Sequence, residues 1–292
     1  MNSLCIALAL WLLPIPAAVP GVGSMTLMEG SLRVIRGTTV LKGIEGMHLR
    51  QGDILETSDP GFAQVELDGG PVVALGPGSR LYIYRVSAKG GGKEAAELIL
   101  LSGWMKSELV GGTGSYRYQT TTLAATTVGA TVLIHSFGDG SEVFVESGAA
   151  TVGEVSSEGG VRQPGAAKAG QFFSRHAGKN VTTASRPNPA FIEAMPKAFR
   201  DTLPSRLAHF AGKTIEPKSD HQVSYVEVES YLRMPPGWRR GMTERFEPRL
   251  KDAEFRRQVE AHVAEYPEWD KILHPEKEEK DPAKEAEPVS HP

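Results

Sequence analysis

The chain has almost no cysteine. Of its 292 residues only Cys5 carries a thiol, and it lies inside an uncharged apolar leader. Once that leader is removed, no disulfide, thiolate nucleophile or cysteine metal ligand remains. Lipid attachment at Cys5 is excluded too, because Ser3 and Leu4 precede it and the apolar stretch follows it. Charge of one sign is also missing. Residues 25–186 carry fifteen basic and fifteen acidic side chains, and residues 187–273 carry fourteen of each. No segment has the positive excess that tracking phosphates needs, and none is a polybasic stretch for anionic lipid, so nucleic acid is not an expected partner. The longest apolar run, residues 4–13, is half of the roughly 20 residues a bilayer-spanning helix requires.

Catalytic and metal-binding patterns are absent as well. The histidines (His48, His135, His176, His209, His221, His262, His274 and His291) are scattered and form no HExxH motif or close pair, so no zinc site is expected. Gly140-Ser141 lacks the second glycine of a nucleophile elbow, since position 143 is valine. Lys89-Gly90-Gly91-Gly92-Lys93 has Glu94 where a phosphate loop needs Ser or Thr, and reads as a hairpin loop; Gly111-Gly112-Thr113-Gly114 reads as a turn. Asp139 and Glu142 offer too few ligands for calcium. Asp53 and Asp68 read as side chains that bond their own turns, not as an acid–base pair. No catalytic residue, cofactor or metal is therefore expected.

What is present starts with an address. The first 28 residues contain no charged side chain, and the apolar run is followed by Pro14, Pro16 and Ala17-Ala18. That layout predicts a secretory signal peptide over residues 1–24, cut near Ala18 or Ser24. The alternative is an uncleaved anchor, the one way this chain would meet a membrane.

Glycine then punctuates residues 26–174. Gly43, Gly46, Gly52, Gly69, Gly70, Gly76, Gly78 and Gly103 bound short runs of alternating apolar and polar residues, and glycine supplies the positive φ of tight turns. Leu32-Arg33-Val34, Gln64-Val65-Glu66-Leu67, residues 80–85 and residues 141–146 all alternate. The pattern predicts an all-β domain of short strands, a sandwich, barrel or solenoid. Residues 175–187 read as a polar linker. Beyond it Asn188-Pro189, Ser224-Tyr225-Val226-Glu227 and Asp252 are helix starts. Trp238, Met242 and Phe246 share a helical face, as do Phe255, Val259 and Val263. Residues 188–273 thus predict a small helical domain docked on the β-domain, and residues 274–292, rich in Pro, Glu and Lys, a disordered tail.

Taken in order, Gly30-Ser31-Leu32-Arg33-Val34, Gly52-Asp53-Ile54-Leu55-Glu56-Thr57, Ala63-Gln64-Val65-Glu66-Leu67-Asp68-Gly69 and Val73-Ala74-Leu75-Gly76-Pro77 resemble the periplasmic FecR domain. So do Leu98-Ile99-Leu100-Leu101-Ser102-Gly103, residues 118–122, Thr127-Val128-Gly129-Ala130-Thr131, residues 143–148 and Ala169-Gly170-Gln171. The resemblance implies a twisted, solenoid-like all-β fold. It does not carry sigma-factor regulation, because no sigma-factor-binding segment precedes the leader and the family's Gly-Thr step stands here as Gly129-Ala130.

Two aromatic sets are candidate ligand or partner surfaces: Tyr82, Tyr84, Tyr116 and Tyr118, where i and i+2 share a strand face, and Trp238 and Trp269 in the helices. Packing is the competing and favoured reading for both, in the core for the helical aromatics and against the helices for the tyrosines. The expected function is a non-enzymatic, periplasmic binding or scaffold protein of a diderm envelope, recognising a protein or a cell-wall glycan. The alternative is a signal relay acting through a membrane partner. Composition is silent on oligomeric state.

Overall fold

The computed structural model describes residues 21–87, 95–109, 114–213 and 215–275. Most of the leader, the triglycine loop, residues 111–113 of the second glycine-rich turn and residues 276–292 of the tail lie outside the described residues. The chain is mainly β, with helices towards its C-terminal end. The first strands are β1 (Gly23–Glu29), β2 (Leu32–Arg36), β3 (Thr39–Lys42), β4 (His48–Leu49), β5 (Ile54–Thr57) and β6 (Phe62–Leu67). Next come β7 (Val72–Leu75), β8 (Arg80–Val86), β9 (Ala96–Glu108), β10 (Tyr116–Gln119), β11 (Leu123–Thr127) and β12 (Thr131–Phe137). Then follow β13 (Gly140–Ser147), β14 (Ala149–Val155), β15 (Val161–Lys168), β16 (Phe172–His176) and β17 (Thr182–Ala184). The remainder is α1 (Pro189–Ala194), β18 (Ser219–Gln222), α2 (Tyr225–Leu232), α3 (Pro236–Phe246), α4 (Ala253–His262) and α5 (Glu268–Leu273).

The strands wind as hairpins that alternate between two layers. Sheet A runs β4–β1–β6–β7–β9–β12–β13–β16–β17. Sheet B runs β18–β3–β2–β5–β8–β9–β10–β11–β14–β15. All these pairs are antiparallel except β9–β10. The alternation matches the solenoid-like sandwich expected from the glycine-bounded runs.

Strand β9 belongs to both layers, and Gly103 is the reason. The sequence reads as two runs divided by this glycine; the structure joins them into one strand that pairs with β8 and β10 before the bend and with β7 and β12 after it. Gly103 has φ +85°, and a Cβ there would lie 2.4 Å from Ser79 Oγ. Ser79 Oγ accepts from the Trp104 amide at 2.8 Å and donates to the Trp104 carbonyl at 2.9 Å, which pins the corner. Not every punctuating glycine works this way. Gly43, Gly70 and Gly76 have no positive φ; Gly76 is small because Pro196 and the Trp104 Cβ press on it.

The inner faces of the sheets meet in one apolar core that includes Val34, Leu55, Ile83, Leu98 and Leu100 from sheet B and Met25, Val65, Leu75, Val132, Ile134 and Val143 from sheet A. Both outer faces are covered too. Over sheet B, Tyr231, Leu232, Trp238, Met242, Phe246, Phe255 and Trp269 pack on Ile35, Val40, Ile54 and Ile99. The predicted caps hold these helices. Glu227 and Ser224 form a capping box on α2, and Asp252 accepts from the Phe255 amide at 2.9 Å on α4. Arg245 ties α3 down by donating to the carbonyls of Ile35 (2.6 Å), Gly37 (2.8 Å) and Gly52.

Residues 175–213 depart from the expectation. The predicted linker contains the end of β16 and all of β17, so sheet A continues to Ala184. Beyond α1, capped by Asn188, the chain does not stay helical. It crosses the outer face of sheet A as an irregular strap, residues 195–213, with two short 3-10 turns. Phe191, Phe199 and Leu203 pack there on Phe62, Val72, Trp104, Leu133 and Phe172. Proline at 196 and 204 interrupts any helix along this path.

Candidate ligand-binding site

The predicted aromatic surface does not exist as one face. Tyr116 and Tyr118 point between the sheets into the core. Tyr118 Oη lies 2.6 Å from Ser107 Oγ, and burial pushes its phenol well above the ordinary value. Tyr82 is buried under the helices, where Trp238 and Trp269 also lie. Alternation along β10 is as expected, but the face is reversed: a period of two defines two faces without saying which turns inward.

Tyr84 is half-buried, and it meets Trp238 at the rim of a pocket of about 270 Å³. The pocket floor comes from the residues that alternate with the tyrosines. Arg85 pairs with Glu97 across β8 and β9, and Glu97 lies beside Arg117 on β10, so three charges form a row with Gln119 next to it. The wall is the β14–β15 turn, residues 158–161. Glycine closes this wall: a Cβ on Gly159 would reach Trp238 Nε1 at 2.8 Å, and one on Gly237 would reach the Glu158 carbonyl at 2.2 Å.

The floor is polar and withdrawn from water. Glu97 is 4% exposed and Gln119 2%. Gln119 donates its amide to Glu97 Oε1, whose second oxygen lies 3.7 Å from Arg85 Nη1. The Arg85 guanidinium sits 5.2 Å over the Tyr84 ring. The carboxamide oxygen of Gln119 has no hydrogen-bond partner among the described residues. A buried acceptor without a partner costs roughly 1–3 kcal/mol. Glu97 heading the apolar run Leu98-Ile99-Leu100-Leu101, and Arg117 between two tyrosines, are the signals in the sequence that mark this floor.

A second, larger groove of about 580 Å³ lies beside β1, lined by Ser24, His48, Asp68, Leu207, Ala208 and residues 210–213. It holds the residue types of a catalytic triad without the geometry. Ser24 Oγ is 3.3 Å from His48 Nδ1, the nitrogen that an orienting carboxylate would need. Ser24 is itself buried. Among the described residues no three His, Cys, Asp or Glu side chains form a cluster able to hold a metal ion. Asp53 bonds its own turn through the Arg50 amide at 2.9 Å, as expected, and also accepts two bonds from Arg36 at 2.9 and 2.7 Å.

No protein-family model matches this chain, and no curated protein matches it. Among solved structures it is similar to two crystal structures described as a "putative anti-sigma factor" from Parabacteroides distasonis ATCC 8503. The 1.65 Å structure is 12% identical over 46% of this chain, with a TM-score of 0.38. The 2.50 Å structure is 11% identical over 48%, with a TM-score of 0.39. The matches cover 59% and 64% of those chains.

Proposed function

We propose that this chain is an exported, non-enzymatic binding module of the bacterial envelope, FecR-like in its β-domain, whose pocket between β8–β10 and α3 takes a sugar unit of a cell-wall glycan. The observation that carries the reading is a pocket that gathers a carboxylate, a carboxamide, two guanidinium groups and an aromatic ring. A sugar hydroxyl both donates and accepts, so it suits a floor that mixes Gln119 and Glu97 with Arg85 and Arg117. An aromatic rim at Tyr84 suits the apolar face of a pyranose. The pocket is large enough for one such ring, and lies just below the lower end of the usual range of ligand sites.

Export supports an envelope ligand. Strand β1 begins at Gly23, and Val22 bonds Leu49 and Asp68 through its main chain at 2.8 and 3.1 Å. A cut at Ser24 would remove those bonds, so processing at Ala18 is the expected one.

The test is co-sedimentation of the mature chain with purified peptidoglycan, followed by calorimetric titration with its soluble disaccharide. Wild type binds, and Gln119→Leu, which keeps the side-chain volume and removes the carboxamide from the pocket floor, weakens binding about tenfold. Equal binding by wild type and Gln119→Leu, with unchanged thermal unfolding, removes the pocket from the account. No binding by wild type to either form removes the glycan.

A further inference from the structure

Beside the apolar patch under Phe199 and Leu203, the floor beneath the strap carries charged and amide side chains, which an ordinary covered sheet face does not. Lys106 is 1% exposed. Its ammonium donates to the carbonyls of Phe199 and Asp201, both at 2.9 Å, and lies 2.9 Å from Glu108 Oε1 and 3.1 Å from Glu146 Oε2. Glu108 accepts from the Leu203 amide at 2.9 Å. Gln64 donates to the Pro204 carbonyl at 2.9 Å, and Glu66 accepts from the Arg206 amide at 2.7 Å and the Ser205 hydroxyl at 2.5 Å. All but the last of these strap contacts reach main-chain atoms. Only Phe199 and Leu203 of this stretch are buried as side chains.

This is how a groove reads an extended peptide: main-chain groups give the grip, and two pockets four residues apart give the choice. Taking several ions out of water is costly, and neutral amide or hydroxyl side chains would satisfy the strap's main chain without that cost. A charged floor has the opposite merit, since it tolerates water when uncovered. The strap is held at both ends, by the buried Phe191 of α1 before it and by the pairing of β18 with β3 after it, so only residues 199–206 between these anchors would have to leave the floor.

We propose that the outer face of sheet A is a binding site for an extended segment of a partner protein, with residues 199–206 occupying it in cis as a resident pseudo-ligand. The occupant is defined by what the strap presents: a large aromatic or aliphatic residue, a second apolar residue four positions on, and basic flanks like Arg200 and Arg206. Three carboxylates against one ammonium on the floor favour those basic flanks. The site is separate from the sugar pocket on sheet B and stands or falls independently of it.

The test uses a fluorescent ten-residue peptide with the sequence of residues 197–206 and the full mature chain carrying Phe199→Ala and Leu203→Ala, which weaken the resident strap. Anisotropy is expected to show saturable binding at least tenfold tighter than to wild type, where the site is filled. Adding Lys106→Met to the weakened chain abolishes binding, and so does replacing the phenylalanine and leucine of the peptide by alanine. A complementary measurement needs no variant. Excess unlabelled peptide added to nitrogen-15 wild type should speed exchange of the Leu203 and Arg206 amides while leaving those of α4 unchanged. A peptide that neither binds the weakened chain nor speeds that exchange overturns the proposal. Binding indifferent to Lys106→Met does the same. A weakened or wild-type chain that dimerises by exchanging straps reassigns the occupant to a second copy and overturns the partner.

Discussion

The two outer faces of this sandwich are covered by opposite means. Over sheet B the cover is helical, and the interface is dominated by apolar side chains such as Tyr231, Phe246, Phe255 and Trp269. Over sheet A the cover is an irregular strap, and Gln64, Glu66, Lys106 and Glu108 hold it by its main chain. The cause is elementary. A helix satisfies its own amides and carbonyls, so the sheet beneath it can be wholly apolar. An irregular segment brings unpaired main-chain groups, and each must find a partner when water is excluded. The strap therefore demands a polar floor, and the floor in turn grips main chain more than side-chain identity. One face is held mainly by side-chain packing, the other by packing at Phe199 and Leu203 together with hydrogen bonds to the strap's main chain.

The comparison breaks most severely at Trp269, which is fully buried at the centre of the helical cover. Trp269→Ala should destabilise the protein by about 3–5 kcal/mol through lost packing and the cavity left behind, measured as a drop in midpoint denaturant. The strap should be no less protected than before relative to the β-core. Next is Lys106→Met, which strands Glu108, Glu146 and two strap carbonyls without their cation. Its expected cost is about 3 kcal/mol, the low end for breaking a buried ion pair. Its signature is proteolysis within residues 199–206 while the helices stay intact. Ser224→Ala removes one half of the capping box on α2 and should cost about 1 kcal/mol, read by thermal unfolding.

The smallest effect separates the covers by pH. Burial raises the Glu227 carboxyl, but bonds from the Ser224 amide, His221 and the Ser224 hydroxyl, with Arg33 nearby, outweigh it and hold the group at about 2. Its contribution is present above the ordinary value of 4.5 and is lost as pH falls towards about 2. Glu66 behaves the same way under the strap, because its bonds from Ser205 and the Arg206 amide overcome desolvation and lower its carboxyl. Acid therefore loosens both covers. His221 is raised, chiefly by its bond to Glu227 at 2.9 Å. Its contribution is full below 6.5 and lost as pH rises through the raised value. Mild alkali should lower the protection factors of amides in the first turn of α2, relative to the intrinsic base-catalysed rate, and leave those of Leu203 and Arg206 unchanged. Equal responses at the two places would erase the distinction.

Much of the helical cover was legible in the sequence because its signals are local. Ser224 with Glu227, and Asp252, each cap within three residues, and the spacing of Trp238, Met242 and Phe246 marks the buried face. The sandwich was legible through glycine and alternation. The strap was not. Gln64 and Glu66 alternate with Val65 and Leu67, and Lys106 and Glu108 flank Ser107, as in strands with one face in water. Nothing nearby says that a segment about a hundred residues later replaces that water. The pocket was half legible, since Tyr84 and Trp238 do line it. Its floor was hidden because attention to Tyr116 and Tyr118 pointed to the face of β10 that turns inward.

The most direct measurement is native-state hydrogen exchange on the mature chain, followed amide by amide as denaturant is raised from zero. If the two covers differ as described, the Leu203 and Arg206 amides exchange through a local opening, well below the free energy of global unfolding and with little denaturant dependence. The amides of α3 and α4 then exchange only with the β-core. Strap amides that share the global free energy and its denaturant dependence would contradict the account, because the strap would then be as permanent a part of the fold as the helices.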